Sequence, residues 1–399
     1  MSTRSAVHSK AFTPGRLGQL ELRNRVIKAG TYEGMCPRGL PSDALIRHHR
    51  DLAAGGVGMT TVAYCAVSPN GRTFEDQMVM SPKLVPRLKV LTDAVHAEGA
   101  AVSLQLGHCG AFSRNAELPG RRSLGPSAQF NEYGFMSGIM FSKAMTEHDI
   151  ADIVDDFGTA AAGAVRAGFD AVELHMGHGY LLSQFISPAI NQRQDRWGGS
   201  LDNRMRLPLT VVERVREAVG PKFPIVAKTN LRDGFKGGLE VRESIGVALR
   251  LEAAGVNALE LSGGFTSKTP MYLLRGERPL KEMIAVEKSW AQKLVLAVLG
   301  RAVIKEYPFK EMFFLKHARK IRKAVRMPLV LLGGIVSLQN LETAMQEGFE
   351  FVAMGRALIA DPDLIDRMRR GEVTRSRCTA CNKCVAEMDR NGVRCVLDD

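Results

Sequence analysis

The sequence predicts an α/β protein: one (β/α)8 barrel of the TIM type, with a long insertion after the sixth strand and a short cysteine-containing C-terminal tail. Three observations carry this expectation. Short apolar runs alternate with longer amphipathic stretches, the pattern of βα units on a parallel sheet. Eight such runs follow in a single series, which favours a closed barrel over the remaining alternative, an open doubly wound sheet. The length of 399 residues suits a single barrel with insertions.

Strands are expected at residues 25–29, 58–63, 101–106, 171–175, 225–229, 258–262, 329–333 and 351–355. Helices are expected at 82–98, 148–167, 203–219, 241–254 and 338–347, with another near 313–325. Gly99, Gly168 and Gly255 close three of these stretches, where glycine suits a left-handed C-cap. No G-x-G-x-x-G leads from a strand into a helix, and Gly55-Gly56-Val57-Gly58 sits at a helix-to-strand turn. A nicotinamide cofactor would therefore dock transiently at the barrel mouth. Residues 263–311 break the rhythm after the sixth strand, on the face where barrel active sites lie, and are read as a lid. Within and beside them, 290–304 is apolar and helix-like; an oligomer contact or a membrane-surface patch are the alternatives. The domain reading is a barrel over 1–375 and a cysteine-rich tail over 376–399.

The formal charge of +12 favours anionic partners such as nucleotides, phosphates or acyl-CoA. No zinc-finger, RRM or helix-turn-helix pattern accompanies it, so nucleic acid is not expected as a partner. No run of about 18 apolar residues occurs and residues 1–10 lack an apolar signal core, so no transmembrane segment and a cytoplasmic location are expected. Cys36, Cys65 and Cys109 are isolated, whereas Cys378, Cys381, Cys384 and Cys395 crowd the last 22 residues. Such clustering points to a metal or cluster site rather than a disulfide framework.

The most informative stretch runs from His175-Met176-Gly177-His178-Gly179-Tyr180 to Phe185, beginning where the fourth strand ends. Two imidazoles aimed at one carbonyl oxygen would polarise it and stabilise a developing enolate. A phenol two residues on could protonate the carbon that hydride does not attack. The alternatives are zinc, for which no third ligand is identified, and histidines merely satisfied at a strand end.

At these residues the chain resembles the old yellow enzyme family of NADH:flavin oxidoreductases. The likeness continues through Ser187-Pro188-Ala189-Ile190-Asn191 to Asp195-Arg196-Trp197-Gly198-Gly199-Ser200, Asp202-Asn203-Arg204 and Arg206. It extends over nearly the whole chain, from Leu22-Arg23-Asn24-Arg25 to Met354-Gly355-Arg356-Ala357-Leu358, leaving 263–311 outside. The resemblance implies bound FMN, NAD(P)H as transient reductant, and reduction of activated C=C bonds in α,β-unsaturated carbonyl or nitro compounds. It implies that His175 and His178 hold the substrate oxygen and that Tyr180 donates the proton. Gln105 matches the residue bonding the flavin pyrimidine edge. Lys228 stands for an arginine near flavin N1 and O2, keeping the charge without the planar fork. Ala29, Gly30 and Thr31 are expected flavin contacts, with the flavin-tuning position falling on Thr31 or Tyr32. Gly333, Gly334, Gly355 and Arg356 are the expected phosphate cradle.

Cys378-x2-Cys381-x2-Cys384-x10-Cys395 resembles the cluster segment of dienoyl-CoA reductases and trimethylamine dehydrogenase, and four thiolates suit [4Fe–4S] or zinc. The chain stops four residues after Cys395, so no second flavin domain is expected to feed a cluster. The runner-up function is thus an iron–sulfur flavoprotein reducing enoyl- or dienoyl-CoA thioesters with electrons from a separate redox partner protein. An inactive flavin-binding scaffold is the non-enzymatic alternative. A homo-oligomer is compatible with either function.

Overall fold

The computed structural model describes residues 7–397. Eight parallel strands close a barrel, which rules out the open sheet: β1 (Val26–Lys28), β2 (Met59–Ala66), β3 (Ala101–Gly107), β4 (Ala171–Met176), β5 (Ile225–Asn230), β6 (Ala258–Ser262), β7 (Leu329–Leu331) and β8 (Phe351–Met354). Closure is made by β8 pairing with β1, Val352 opposite Val26. The strands read as nearly unbroken apolar runs because both faces are covered, the inner by the barrel core and the outer by helices.

The helices are α1 (Asp43–Ala54), α2 (Val85–Ala97), α3 (Glu147–Arg166), α4 (Leu201–Val219), α5 (Val241–Ala253), α6 (Leu315–Arg322), α7 (Leu338–Gln346) and α8 (Arg356–Ala360). Several start where a short polar side chain takes an orphan N–H: Ser42 for α1, Ser200 for α4 and Ser337 for α7. Thr146 and Asp149 form a reciprocal capping box on α3. Each cap is worth about 1 kcal/mol.

One apolar cluster fills the space between barrel and helices. A second lies inside the barrel and joins Met59, Val226, Ala258 and Phe351 to Leu17 and Leu22 of an N-terminal hairpin (Gly15–Leu17 with Leu20–Leu22). Met59, Ala258 and Phe351 open their strands and Val226 is second in its own, so the hairpin plugs the N-terminal end and leaves the C-terminal end for chemistry.

Two stretches depart from the expectation. β7 ends at Leu331, two residues early, because Gly333 (φ 101°) and Gly334 (φ 74°) turn the chain beneath Phe313 and Phe314. Between β3 and α3 stands a three-stranded sheet (Ser123–Gly125, Gln129–Phe130, Phe141–Ala144) that the sequence reading missed. Its strands are only two to four residues long, too short for alternation to be read. The 263–311 insertion is not a bare loop: it holds helices at Pro270–Leu274, Leu280–Val286 and Trp290–Val303. Among the described residues, no helix is long and apolar enough to cross a membrane.

Candidate active site

His175 lies within the last turn of backbone of β4, fully buried. His178 follows in a left-handed conformation, φ 57°, which a non-glycine residue adopts at a cost of about 1–3 kcal/mol. Three contacts hold it there. Its N–H donates to Asn230 Oδ1 at 2.9 Å, its carbonyl accepts from the Thr266 N–H at 2.8 Å, and its ring Nε2 lies 2.6 Å from Ser262 Oγ. The two imidazoles meet edge to face with centroids 5.0 Å apart, and Tyr180 lies against His175 at 4.1 Å. Tyr64 and Phe112 box the Tyr180 ring edge-on, each at 5.0 Å. The structure therefore brings His175, His178 and Tyr180 into one cluster.

Burial sets their protonation. It pushes the His178 imidazole down to about 3, helped by the Lys228 charge. Burial, His178 and Lys228 together hold His175 well below its ordinary value. Both rings are neutral donors at physiological pH, and His175 Nδ1 is buried with no partner. Burial raises the Tyr180 phenol well above its usual range, so it keeps its proton. The zinc alternative for this pair is not met: among the described residues, no three His, Cys, Asp or Glu side chains are placed to hold a metal ion.

A cavity opens beside the pair, with His178 and Ser262 in its wall. Ala29, Gly30 and Thr31 line it from the end of β1, and Lys228 lines it from β5. Gly333, Gly334, Gly355 and Arg356 line it beyond β7 and β8. Gln105 stands directly against Gly30, where a Cβ would come within 2.8 Å of its amide nitrogen. Thr31 Oγ1 is buried with no partner, whereas Tyr32 is stacked on Phe74 at 5.2 Å and is not part of the wall. An orphaned hydroxyl, bare backbone at glycine positions and a buried ammonium form a donor set that fits a flat, polar-edged ring bearing a phosphate.

Lys228 is more constrained than its sequence position implied. Its Nζ lies 2.9 Å from Glu173 and 3.0 Å from Glu260, and donates to the Gly30 carbonyl at 3.3 Å. Gln105 donates to Glu173 at 2.5 Å. Burial works against the Lys228 charge, but the two carboxylates outweigh it and hold the ammonium protonated. Glu260 is pushed up to about 8, first by burial and then by repulsion from Glu173. Arg356 lines the cavity and also reaches the tail: its guanidinium donates to the Arg275 carbonyl at 2.9 Å and to Asn382.

Sequence reasoning missed Asn230, Ser262, Glu173, Glu260, Tyr64 and Phe112. The carboxylates did leave a signal, since each is a lone charge inside an apolar strand run (AVELHM, ALELS). Ser262 and the aromatic box left none, because their roles depend on which strands become neighbours.

From the insertion, Leu273, Leu274 and Phe309 contribute to the cavity wall. The helix Trp290–Val303 turns its apolar face outward, leaving Trp290 78% exposed. The four tail cysteines form no disulfide with one another and line one hollow. Arg356 and Cys378 belong to the walls of both cavities.

Comparison with known proteins matches residues 10–265 to the model of the NADH:flavin oxidoreductase / NADH oxidase family. The 4,4'-dithiodibutanoate disulfide reductase of Rhodococcus erythropolis is 46% identical over 97% of this chain and 95% of its own length. The NADH oxidase of Thermoanaerobacter brockii is 31% identical over 93% of this chain, which spans only 52% of that relative. The structure of morphinone reductase in complex with tetrahydroNAD superposes with a TM-score of 0.72 at 25% identity, covering 94% of each chain.

Proposed function

Because the chain belongs to the NADH:flavin oxidoreductase / NADH oxidase family, and so is an FMN-dependent oxidoreductase using NAD(P)H, we propose that it reduces activated C=C bonds. The observation that carries this reading is the cluster of two neutral imidazoles and a protonated phenol, which reaches the cavity wall through His178. FMN, when bound, supplies the hydride that it has accepted from NAD(P)H. Ala29, Gly30, Thr31, Gln105 and Lys228 would hold its ring, with Gly333, Gly334, Gly355 and Arg356 toward its phosphate.

The chain's own residues do the rest. His175 and His178 donate to the carbonyl or nitro oxygen of the acceptor, and stabilise the negative charge that gathers there as the β-carbon is attacked. Neutral donors suit this task, since they polarise the oxygen without giving up a proton to it. Ser262 holds the His178 ring and Asn230 holds its backbone N–H, so that no reorganisation is needed during the reaction. Tyr180 holds its proton at Oη for delivery to the α-carbon, and Tyr64 with Phe112 keeps the phenol oriented. Leu273, Leu274 and Phe309 supply apolar wall that excludes water, the part left to the insertion's proposed lid.

A second reading is favoured by the 46% identity to a disulfide reductase over nearly its whole length. A small organic disulfide accepts the same two electrons but leaves as thiolates, needing no proton on carbon. Turnover of NAD(P)H with 2-cyclohexenone and with 4,4'-dithiodibutanoate, each by wild type and Tyr180→Phe, separates the two. Ene-reduction predicts enone turnover that depends on Tyr180. Turnover of the disulfide alone, indifferent to Tyr180, would overturn it. The iron–sulfur reading of the tail is kept beside both as a proposal about electron supply, supported by the wall that Arg356 and Cys378 share with the main cavity.

A further inference from the structure

Lys228 faces the cavity as a cation, yet it is surrounded by more negative charge than it carries. On β6, Ser262 lines the cavity and Glu260, two residues back, points the same way one layer deeper. Its carboxylate lies 3.0 Å from Lys228 Nζ, and Glu173 of β4 lies 2.9 Å from the same atom. The three side chains are all at least 97% buried. With both carboxylates ionised, the trio bears a net charge of −1 beside a cavity where a bound flavin would gain negative charge on reduction.

The neighbours do not cancel that excess. From β1, Lys28 is matched by Glu33, its partner in a buried ion pair. From β3, Gln105 is neutral and spends its amide on Glu173. From β4 and the loop after it, His175 and His178 are neutral. β7 contributes Val330, opposite Glu260 in the register. A fixed negative excess there would oppose flavin reduction, because buried charge is weakly screened. One proton on the trio removes the excess. Glu260 is the member suited to hold it, since its Oε1 lacks a well-aligned hydrogen bond despite the close ammonium, while Glu173 accepts from Gln105.

We propose that Glu260 is the charge-balancing group of the flavin site: its carboxyl carries a proton whenever the flavin is reduced, and releases it in the oxidised enzyme at alkaline pH. The inference rests on FMN occupying the main cavity. The balance is simple. Oxidised flavin takes two electrons, from NAD(P)H or dithionite, and one proton to give the anionic reduced form. Ionised Glu260 takes a second proton from solvent at the same time, and reoxidation returns it.

The test is the midpoint potential of the FMN-loaded protein between pH 6 and 9.5, followed spectroscopically during reductive titration. For a two-electron couple, one proton taken up lowers the potential by about 30 mV per pH unit and two protons by about 59 mV. Wild type is expected to steepen from the first slope to the second above neutrality, near the value of about 8 to which burial and Glu173 raise the Glu260 carboxyl. Glu260→Gln should stay on the shallower slope throughout. A flavin losing its own N1 proton behaves oppositely, its slope becoming shallower as pH rises. A straight wild-type plot, or a steepening that survives in Glu260→Gln, would overturn the proposal. If Glu260→Gln fails to hold flavin, Glu173→Gln serves: removing the repulsion should move the break to lower pH, and an unmoved break also overturns the inference. Purified protein without bound FMN would instead contradict the cofactor reading itself.

Discussion

The imidazole pair and the cysteine hollow are the two reactive regions of this molecule, and they are built differently. His175, His178 and Tyr180 stand within one short turn after β4, and their partners Asn230 and Ser262 come from the adjoining strands β5 and β6. His175 is buried and His178 and Tyr180 are partly so, and all three are neutral and fixed by packing. The four cysteines lie after α8, Cys384 in a short helix (Lys383–Glu387) and the other three on irregular backbone, half-buried around one hollow whose wall includes Arg356. A rigid scaffold defines the first region by itself. The second depends on what fills it. Substitutions in the first region are therefore expected to act in graded steps, whereas the cluster proposed for the tail would be held or lost as a whole.

That contrast can be broken most severely at the tail. Cys378→Ser with Cys384→Ser should remove all iron and acid-labile sulfide from anaerobically purified protein while leaving bound FMN, as elemental analysis beside an absorption spectrum would show. Loss of FMN together with iron would mean the two regions are one site. At the rim the effects are graded. His178→Ala removes a hydrogen bond to a charged oxygen, worth about 1.5–3 kcal/mol, so the affinity for a phenolate ligand should fall roughly 10- to 100-fold. Ser262→Ala only loosens the ring that His178 presents, and about 1 kcal/mol corresponds to roughly a fivefold fall in the same titration. An effect as large as that of His178→Ala would show that Ser262 touches the ligand itself. The smallest expected effect is none. Both imidazoles are held below their ordinary range by burial, so the KM for a neutral enone should stay flat from pH 5 to 8. A KM that drops on acidification with a midpoint near 6.5 would mean that a histidine titrates there.

How much of this was legible in the sequence follows the same division. Barrel strands buried on both faces leave apolar runs that survive without knowledge of neighbours, so all eight could be placed to within a few residues. His175, His178 and Tyr180 are close in sequence, and one turn of backbone brings them together whatever the rest of the fold does. Glu173, Lys228 and Glu260 lie on three successive strands, and their mutual contact exists only once the barrel closes. Arg356 was legible as a charge beside glycine turns but not as a link to the tail, because Asn382 and the Arg275 carbonyl reach it through long-range packing. The insertion was visible as a break in rhythm. Which of its residues face the cavity was not, since its most apolar helix points away.

The central claim is that Tyr180 supplies the proton for C=C reduction beside a histidine-held oxygen. The most direct measurement is anaerobic stopped-flow of the FMN-loaded protein, with each half-reaction followed at the flavin absorption band. Loss of a general acid costs roughly 10²–10⁴-fold. Tyr180→Phe should therefore reoxidise with 2-cyclohexenone slower by that order, while its reduction by NAD(P)H stays within about a factor of two of wild type. Equal reoxidation rates in the two proteins would contradict the account.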